Sequence, residues 1–111
     1  MSVLTIRSHR RYATRLPVEL RRDGRKTMSG LLIELSQHGA RISNLGRAKL
    51  DMGDKVVILT PSDTEIEATI RWAHDGLAGV RLDSSLHMPE LRDLLELNRR
   101  EQPELERRYG T

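Results

Sequence analysis

The chain has 111 residues, 37% hydrophobic and 32% charged, with a net charge of +3, which allows one small domain with a modest core and leaves no room for two. It has no Cys, which excludes a disulfide framework and a thiolate metal site, and no Phe, so Leu, Ile, Val and the single Trp72 must fill the interior. No apolar run approaches membrane-spanning length and the start, MSVLTIRSHRR, lacks an apolar signal core, so the sequence reads as cytoplasmic, with no membrane insertion.

Charge is unevenly spread. Residues 1–26 hold eight Arg or Lys against Glu19 and Asp23, whereas the rest of the chain is net acidic. The stretch RSHRRYATR packs Arg7, Arg10, Arg11 and Arg15 together with no acid among them. Such a segment points either to an anionic partner met by the N-terminus or to a solvated arm. Residues 1–15 are accordingly expected to form a flexible basic arm, and residues 16–111 the folded domain.

From Leu16 the pattern alternates: Leu16, Val18 and Leu20 face one way, Pro17, Glu19 and Arg21 the other, as in a half-buried strand. Asp23-Gly24 is a hairpin signal, because both central residues of such a turn need positive φ. A second strand is expected over Ser29 to Ser36, with the apolar run Leu31, Leu32, Ile33, and a third over Ala40 to Ser43. Residues 44–54 read as a loop, Val56 to Thr60 as a fourth strand, and Pro61-Ser62-Asp63 as its stop. In the fifth strand Ile66, Ala68, Ile70 and Trp72 alternate with Glu65, Glu67, Thr69 and Arg71; His74-Asp75-Gly76 turns the chain into a sixth, Leu77 to Leu82. Six short strands at this spacing favour a mainly β fold, a six-stranded antiparallel barrel that leaves few unpaired edges. The period then becomes helical. Met88, Leu91, Leu94, Leu95 and Asn98 share one face of a C-terminal helix over about 88–102, which Pro103 is expected to end or kink, with a further turn over 103–108.

Catalytic and metal chemistry find little support. His9, His38, His74 and His87 share no ligand-like spacing. Ser36 and His38 could form a nucleophile and base, but no orienting third residue lies nearby and Ser36 sits where a hydroxyl commonly caps a turn. There is no G-x-x-x-x-G-K-[ST] phosphate loop. The chain does not read as an enzyme. Two segments remain, RRYATR and ELSQHGAR. Arginine forks can chelate guanine O6 and N7, clamp phosphate or stack on a base, and a carboxylate can accept from guanine N1–H and the 2-amino group. Together they suit a guanine nucleotide carrying phosphate charge.

Arg11-x-x-x-Arg15, followed by Glu34-x-Ser36-x-x-Gly39, resembles the R-x-x-x-R and [D/N]-x-S-x-x-G motifs of the PilZ domain, a family of bacterial receptors for cyclic di-GMP. IEATIRWAHDGLAGVRLDS is similar to that family's closing hairpin, and the likeness runs from about Arg7 to the end of the helix. The resemblance implies a PilZ-type barrel with a C-terminal helix and a receptor or adaptor without catalysis. It assigns Arg11 and Arg15, with Arg7 and Arg10 assisting, to close over the nucleotide, which family members often hold as an intercalated dimer. Ser36 and Gly39 would contact guanine and backbone, and Trp72 would lie near the pocket or fill the core. No other cofactor is implied; the partners would be cyclic di-GMP and a downstream protein, in motility or biofilm regulation. One position departs from the motif: Glu34, the carboxylate expected to meet guanine, stands where Asp or Asn is usual, which extends it by about one bond length and is expected to weaken binding without abolishing it. That makes a PilZ-like protein-interaction module without nucleotide the alternative. Nucleic acid is the weaker partner, since Tyr12, Trp72 and Tyr109 are too few for a base-stacking platform.

Overall fold

The structure, a computed structural model, describes residues 10–22, 27–47 and 49–108; Arg7 and the expected Asp23-Gly24 turn lie outside these residues. The strands are β1 Tyr12–Arg22, β2 Thr27–Leu35, β3 Gly39–Ser43, β4 Lys55–Leu59, β5 Glu65–His74 and β6 Leu77–Leu82, followed by helix α1 Met88–Arg108. They close into an antiparallel barrel in the order β1-β2-β3-β6-β5-β4, with β4 pairing back onto β1. Closure leaves no edge strand, as the spacing of the six apolar segments predicts.

Alternation builds the interior. Leu16, Val18 and Leu20 of β1, Leu32 and Leu35 of β2, Ile42 of β3, Val56 and Ile58 of β4, Ile66, Ala68 and Ile70 of β5 and Ala78, Val80 and Leu82 of β6 are all buried. Each Leu, Ile or Val removed from water in this way contributes roughly 1.5–3 kcal/mol. Thr14 is the polar member of the β1 row, and its hydroxyl donates to the Leu32 carbonyl at 2.8 Å. The β5–β6 turn takes positive φ at Asp75 (55°) and Gly76 (79°), the conformation a two-residue hairpin needs. Helix α1 packs on β1 and joins Leu91 and Leu94 to the core, while Met88, expected on that face, is 47% exposed. Glu90 accepts from the His87 backbone N–H at 2.8 Å, which fixes the start of the helix.

Several boundaries differ from expectation. β1 starts at Tyr12, so residues 12–15, expected in the arm, belong to the sheet; Tyr12 pairs with Leu35 and Ala13 with Glu34. Charge does not oppose this, since Ala13 and Arg15 face solvent while Thr14 turns inward. Ser36, expected at the end of the second strand, lies beyond it in the β2–β3 loop. Finally, α1 continues through Pro103 to Arg108. Pro103 is followed by Glu104 and Leu105, a sequence that starts a helix well in its own right, so the two helical stretches join.

Candidate functional site

A row of paired residues crosses five strands of the barrel's outer wall. Ala13 pairs with Glu34, Glu34 with Arg41, Arg41 with Gly79, and Gly79 with Trp72. Three strands carry an extra residue beside this row, with register shifts between Ala13 and Leu16, Leu32 and Glu34, and Ile70 and Trp72. An extra residue bends a strand and reverses the facing of the residues beyond it. Continued from Leu32, alternation would carry Glu34 into the core; the bulge turns Leu35 inward instead, at 1% exposure, and leaves Glu34 outside. In β5 the alternation of Ile66, Ala68 and Ile70 breaks the same way, and Trp72 emerges 40% exposed. Trp72 is therefore a residue of the outer wall and not of the core.

Gly79 makes room for it. A Cβ at Gly79 would lie 2.7 Å from Trp72 Cζ2 and closer still to Nε1 and Cε2, so the indole lies against bare backbone. Arg41 covers the ring, its guanidinium carbon 5.8 Å from the ring centroid, within cation–π range. One Arg41 Nη also meets Glu34 Oε1 at 3.3 Å.

These residues line a groove of about 470 Å³ together with Arg11, Ser36, His38, Gly39, Arg71 and Arg81. Four arginines thus face one carboxylate. Among the described residues, Arg11, Arg71 and Arg81 make no ion pair. The wall is cationic, partly aromatic and open, a surface suited to a planar anion. A somewhat larger groove, about 510 Å³, lies between the start of β5, the β6–α1 segment and α1; Glu65, Glu67, Glu90 and Asp93 give it the opposite charge, and it holds none of the site residues expected from sequence.

The two motif arginines do not converge on the groove. Arg15 lies within β1, whereas Arg11 precedes its first residue, Tyr12. Arg11 lines the groove; Arg15 is absent from its lining, and its backbone N–H donates to Asn98 Oδ1 of α1 at 2.8 Å. That bond answers the bulge, where the extra residue leaves an amide without a ladder partner. Arg10 is exposed and sits over the Tyr12 ring at 5.9 Å.

In the second motif the Ser36 hydroxyl accepts from the backbone N–H groups of His38 (3.2 Å) and Gly39 (3.1 Å), while Ser36 N–H donates to the Gly39 carbonyl at 2.9 Å. Its hydroxyl therefore holds the β2–β3 loop in shape. Gly39 has a backbone reason to be glycine, since a Cβ would lie 3.0 Å from the Val80 carbonyl oxygen. The loop is fastened to the segment before α1: Leu82 N–H donates to the His38 carbonyl, Leu86 N–H to the Gln37 carbonyl, and Gln37 Nε2 back to the Leu86 carbonyl. His38 Nδ1 and Ser85 Oγ also share a hydrogen bond of 2.8 Å.

Sequence reasoning missed Arg41, Arg71, Arg81 and His38. A signal existed for three of them: Arg41 lies between buried Ala40 and Ile42, and Arg81 between Val80 and Leu82, so both face outward on strands that pair with each other. Arg71 follows Ile70 in the same alternation and is exposed as that pattern expects, beside the bulge that brings Trp72 out as well. Among the described residues no group of His, Asp or Glu is placed to hold a metal ion, and no helix is long and apolar enough to cross a membrane.

Comparison with solved structures gives the PilZ domain of CeSA from a cellulose synthesizing bacterium, with a TM-score of 0.60 and 24% identity, covering 84% of this chain and 98% of that one. The Bacillus subtilis inhibitor of motility, MotI/DgrA, matches with a TM-score of 0.57 and 18% identity over 91% of this chain and 53% of that one. At these identities the likeness speaks for the fold alone. Comparison with curated protein sequences returns no match. The model of the PilZ domain, however, matches residues 5–100, most of the chain. With the barrel, its C-terminal helix and this match in agreement, the chain belongs to the PilZ domain family.

Proposed function

We propose that this PilZ domain is a cyclic di-GMP receptor that acts as an adaptor, its arginine-rich N-terminal segment closing over the nucleotide and so altering a surface offered to a downstream protein. The observation that carries this reading is the groove itself, which Arg11, Arg41, Arg71 and Arg81 line together with Trp72 and Gly39, Glu34 being its one carboxylate among the described residues. A dianionic ligand with two flat bases matches that combination of charge and aromatic surface. Arg15 joins Arg11 in closing over the ligand, and Arg7 and Arg10 supply the extra charge for a second, stacked nucleotide. The process binds and releases; no bond is made or broken.

Calorimetric titration of the purified chain with cyclic di-GMP, beside Arg11→Ala and Arg15→Ala, tests the proposal. Saturable binding that Arg11→Ala abolishes and Arg15→Ala weakens is the expected result, and the stoichiometry distinguishes one nucleotide from a stacked pair. Absence of binding at high ligand concentration would overturn it. The chain would then be a protein-interaction module without nucleotide, a reading favoured by the engagement of Glu34 with Arg41.

A further inference from the structure

We infer that Arg41, which lies outside both sequence motifs, contacts the ligand of this site, and that Glu34 serves as its positioning residue and does not itself touch the nucleotide; this rests on the cyclic di-GMP reading above. Glu34 and Arg41 are direct cross-strand partners, and Arg41 is in turn paired with Gly79, over which Trp72 lies. The guanidinium is therefore fixed from two sides, by the carboxylate at 3.3 Å and by the indole beneath it at 5.8 Å. Glu34 is the less exposed partner, its side chain 23% exposed against 46% for Arg41, so the acid sits behind and the cation in front.

A guanidinium has five N–H donors in a rigid fork, and one hydrogen bond of Arg41, to Glu34, is present among the described residues. The rest of the fork borders the groove. A flat cation already held against an aromatic ring loses little freedom when a ligand arrives, which favours binding over a freely rotating arginine. The length of Glu34 is what makes the arrangement reach. Shortened by one methylene, the carboxylate would retract by about 1.5 Å, and Arg41 could then keep Glu34's replacement or Trp72 but not both in the same pose.

This yields a test with opposite outcomes for the two roles of position 34. Cyclic di-GMP affinity is measured by calorimetry for the wild type, Arg11→Ala, Arg41→Ala, Arg41→Lys and Glu34→Asp, each first matched to the wild type in thermal unfolding. Emission and acrylamide quenching of Trp72, the single tryptophan, are recorded on the ligand-free proteins. Expected are a loss of tenfold or more for Arg41→Ala, little rescue by Arg41→Lys, and a several-fold loss for Glu34→Asp with altered Trp72 emission in all three. Binding that tightens in Glu34→Asp would overturn the inference, because the acid would then be meeting the nucleotide itself. Arg41→Ala within twofold of the wild type, while Arg11→Ala abolishes binding, would overturn it and leave the receptor reading standing. If the wild type binds no cyclic di-GMP, the receptor reading falls and this assignment with it.

Discussion

Gly79→Ala should separate the site from the fold. The added Cβ would lie 2.7 Å from Trp72 Cζ2 and nearer to two other ring atoms, where ordinary contact begins near 3.4 Å, so the indole must lift by about 1 Å. A gap of that size forfeits a quarter to a half of the dispersion contact on the ring's inner face. If lifting exposes on the order of 50 Å² of apolar surface, the cost is about 1.3 kcal/mol at 25 cal/mol per Å². Replacing a strand glycine by alanine returns roughly 0.5–1 kcal/mol of backbone entropy. The net change in stability is therefore under about 1 kcal/mol, within the range of an ordinary surface substitution. Arg41, held within cation–π range of the ring, must readjust to it, and cyclic di-GMP affinity should fall about tenfold, equivalent to about 1.4 kcal/mol. Urea unfolding, Trp72 emission and ligand titration on one preparation read all three quantities. Emission and quenching identical to the wild type would refute the account of Trp72 lying on Gly79, whatever the affinity did.

Other substitutions test the frame around the site. Leu16→Ala, at a fully buried position, should cost about 2–5 kcal/mol and lower the urea midpoint with an unchanged slope. Gly30→Ala contrasts with Gly79→Ala: its Cβ would meet Ile42 Cγ2 at 2.7 Å and Leu45 Cδ2 at 3.0 Å inside the core, so overpacking should cost about 1–3 kcal/mol while the affinity of the folded fraction is unchanged. Gly76→Val places a β-branched residue at φ 79° and should destabilise the β5–β6 turn by about 1–3 kcal/mol, visible as a lower thermal midpoint. Gln37→Ala removes the donor to the Leu86 carbonyl, a loss of about 0.5–1.5 kcal/mol, and should speed hydrogen exchange at the Leu86 amide; unchanged exchange there would mean that Gln37 does not fasten the loop to α1.

The strands were legible wherever their period held. Leu16 to Leu20 and Ile66 to Ile70 alternate without interruption, and both segments form the expected strands, as does Leu77 to Leu82. What could not be read was a change of phase within a strand. A bulge inserts one residue without changing the composition around it, so the run Leu31-Leu32-Ile33 looks simply apolar, and Trp72 looks like the next inward residue after Ile70. Nothing in RRYATR marks where the strand begins, so that Arg15 lies within β1 and Arg11 before it, and that α1 approaches β1 beside Arg15, depended on the fold. The second motif was legible as a turn because serine and glycine mark turns for local reasons. The fastening of that turn to Leu82 and Leu86 depends on strand order, and β3 meets β6 only through a non-sequential pairing.

A closed barrel packed with aliphatic side chains offers a ligand only its outside, and a regular sheet exterior presents little relief. The three extra residues supply it. Those of β2 and β5 turn Glu34 and Trp72 outward into one row with Ala13 at one end, and Gly79 gives the indole room. The β2–β3 loop beside this row is held by its own serine and by the segment preceding α1, so that half of the groove exists before any ligand arrives. On this half of the groove ordering on binding then falls on long arginine side chains, each costing about 0.5–1.5 kcal/mol when immobilised. Arg41 is already engaged by Glu34 and Trp72. On this argument a glutamate at the motif's first position is not a weakened aspartate. It is the length of acid that reaches an arginine on the neighbouring strand, and the site's affinity should depend on that reach.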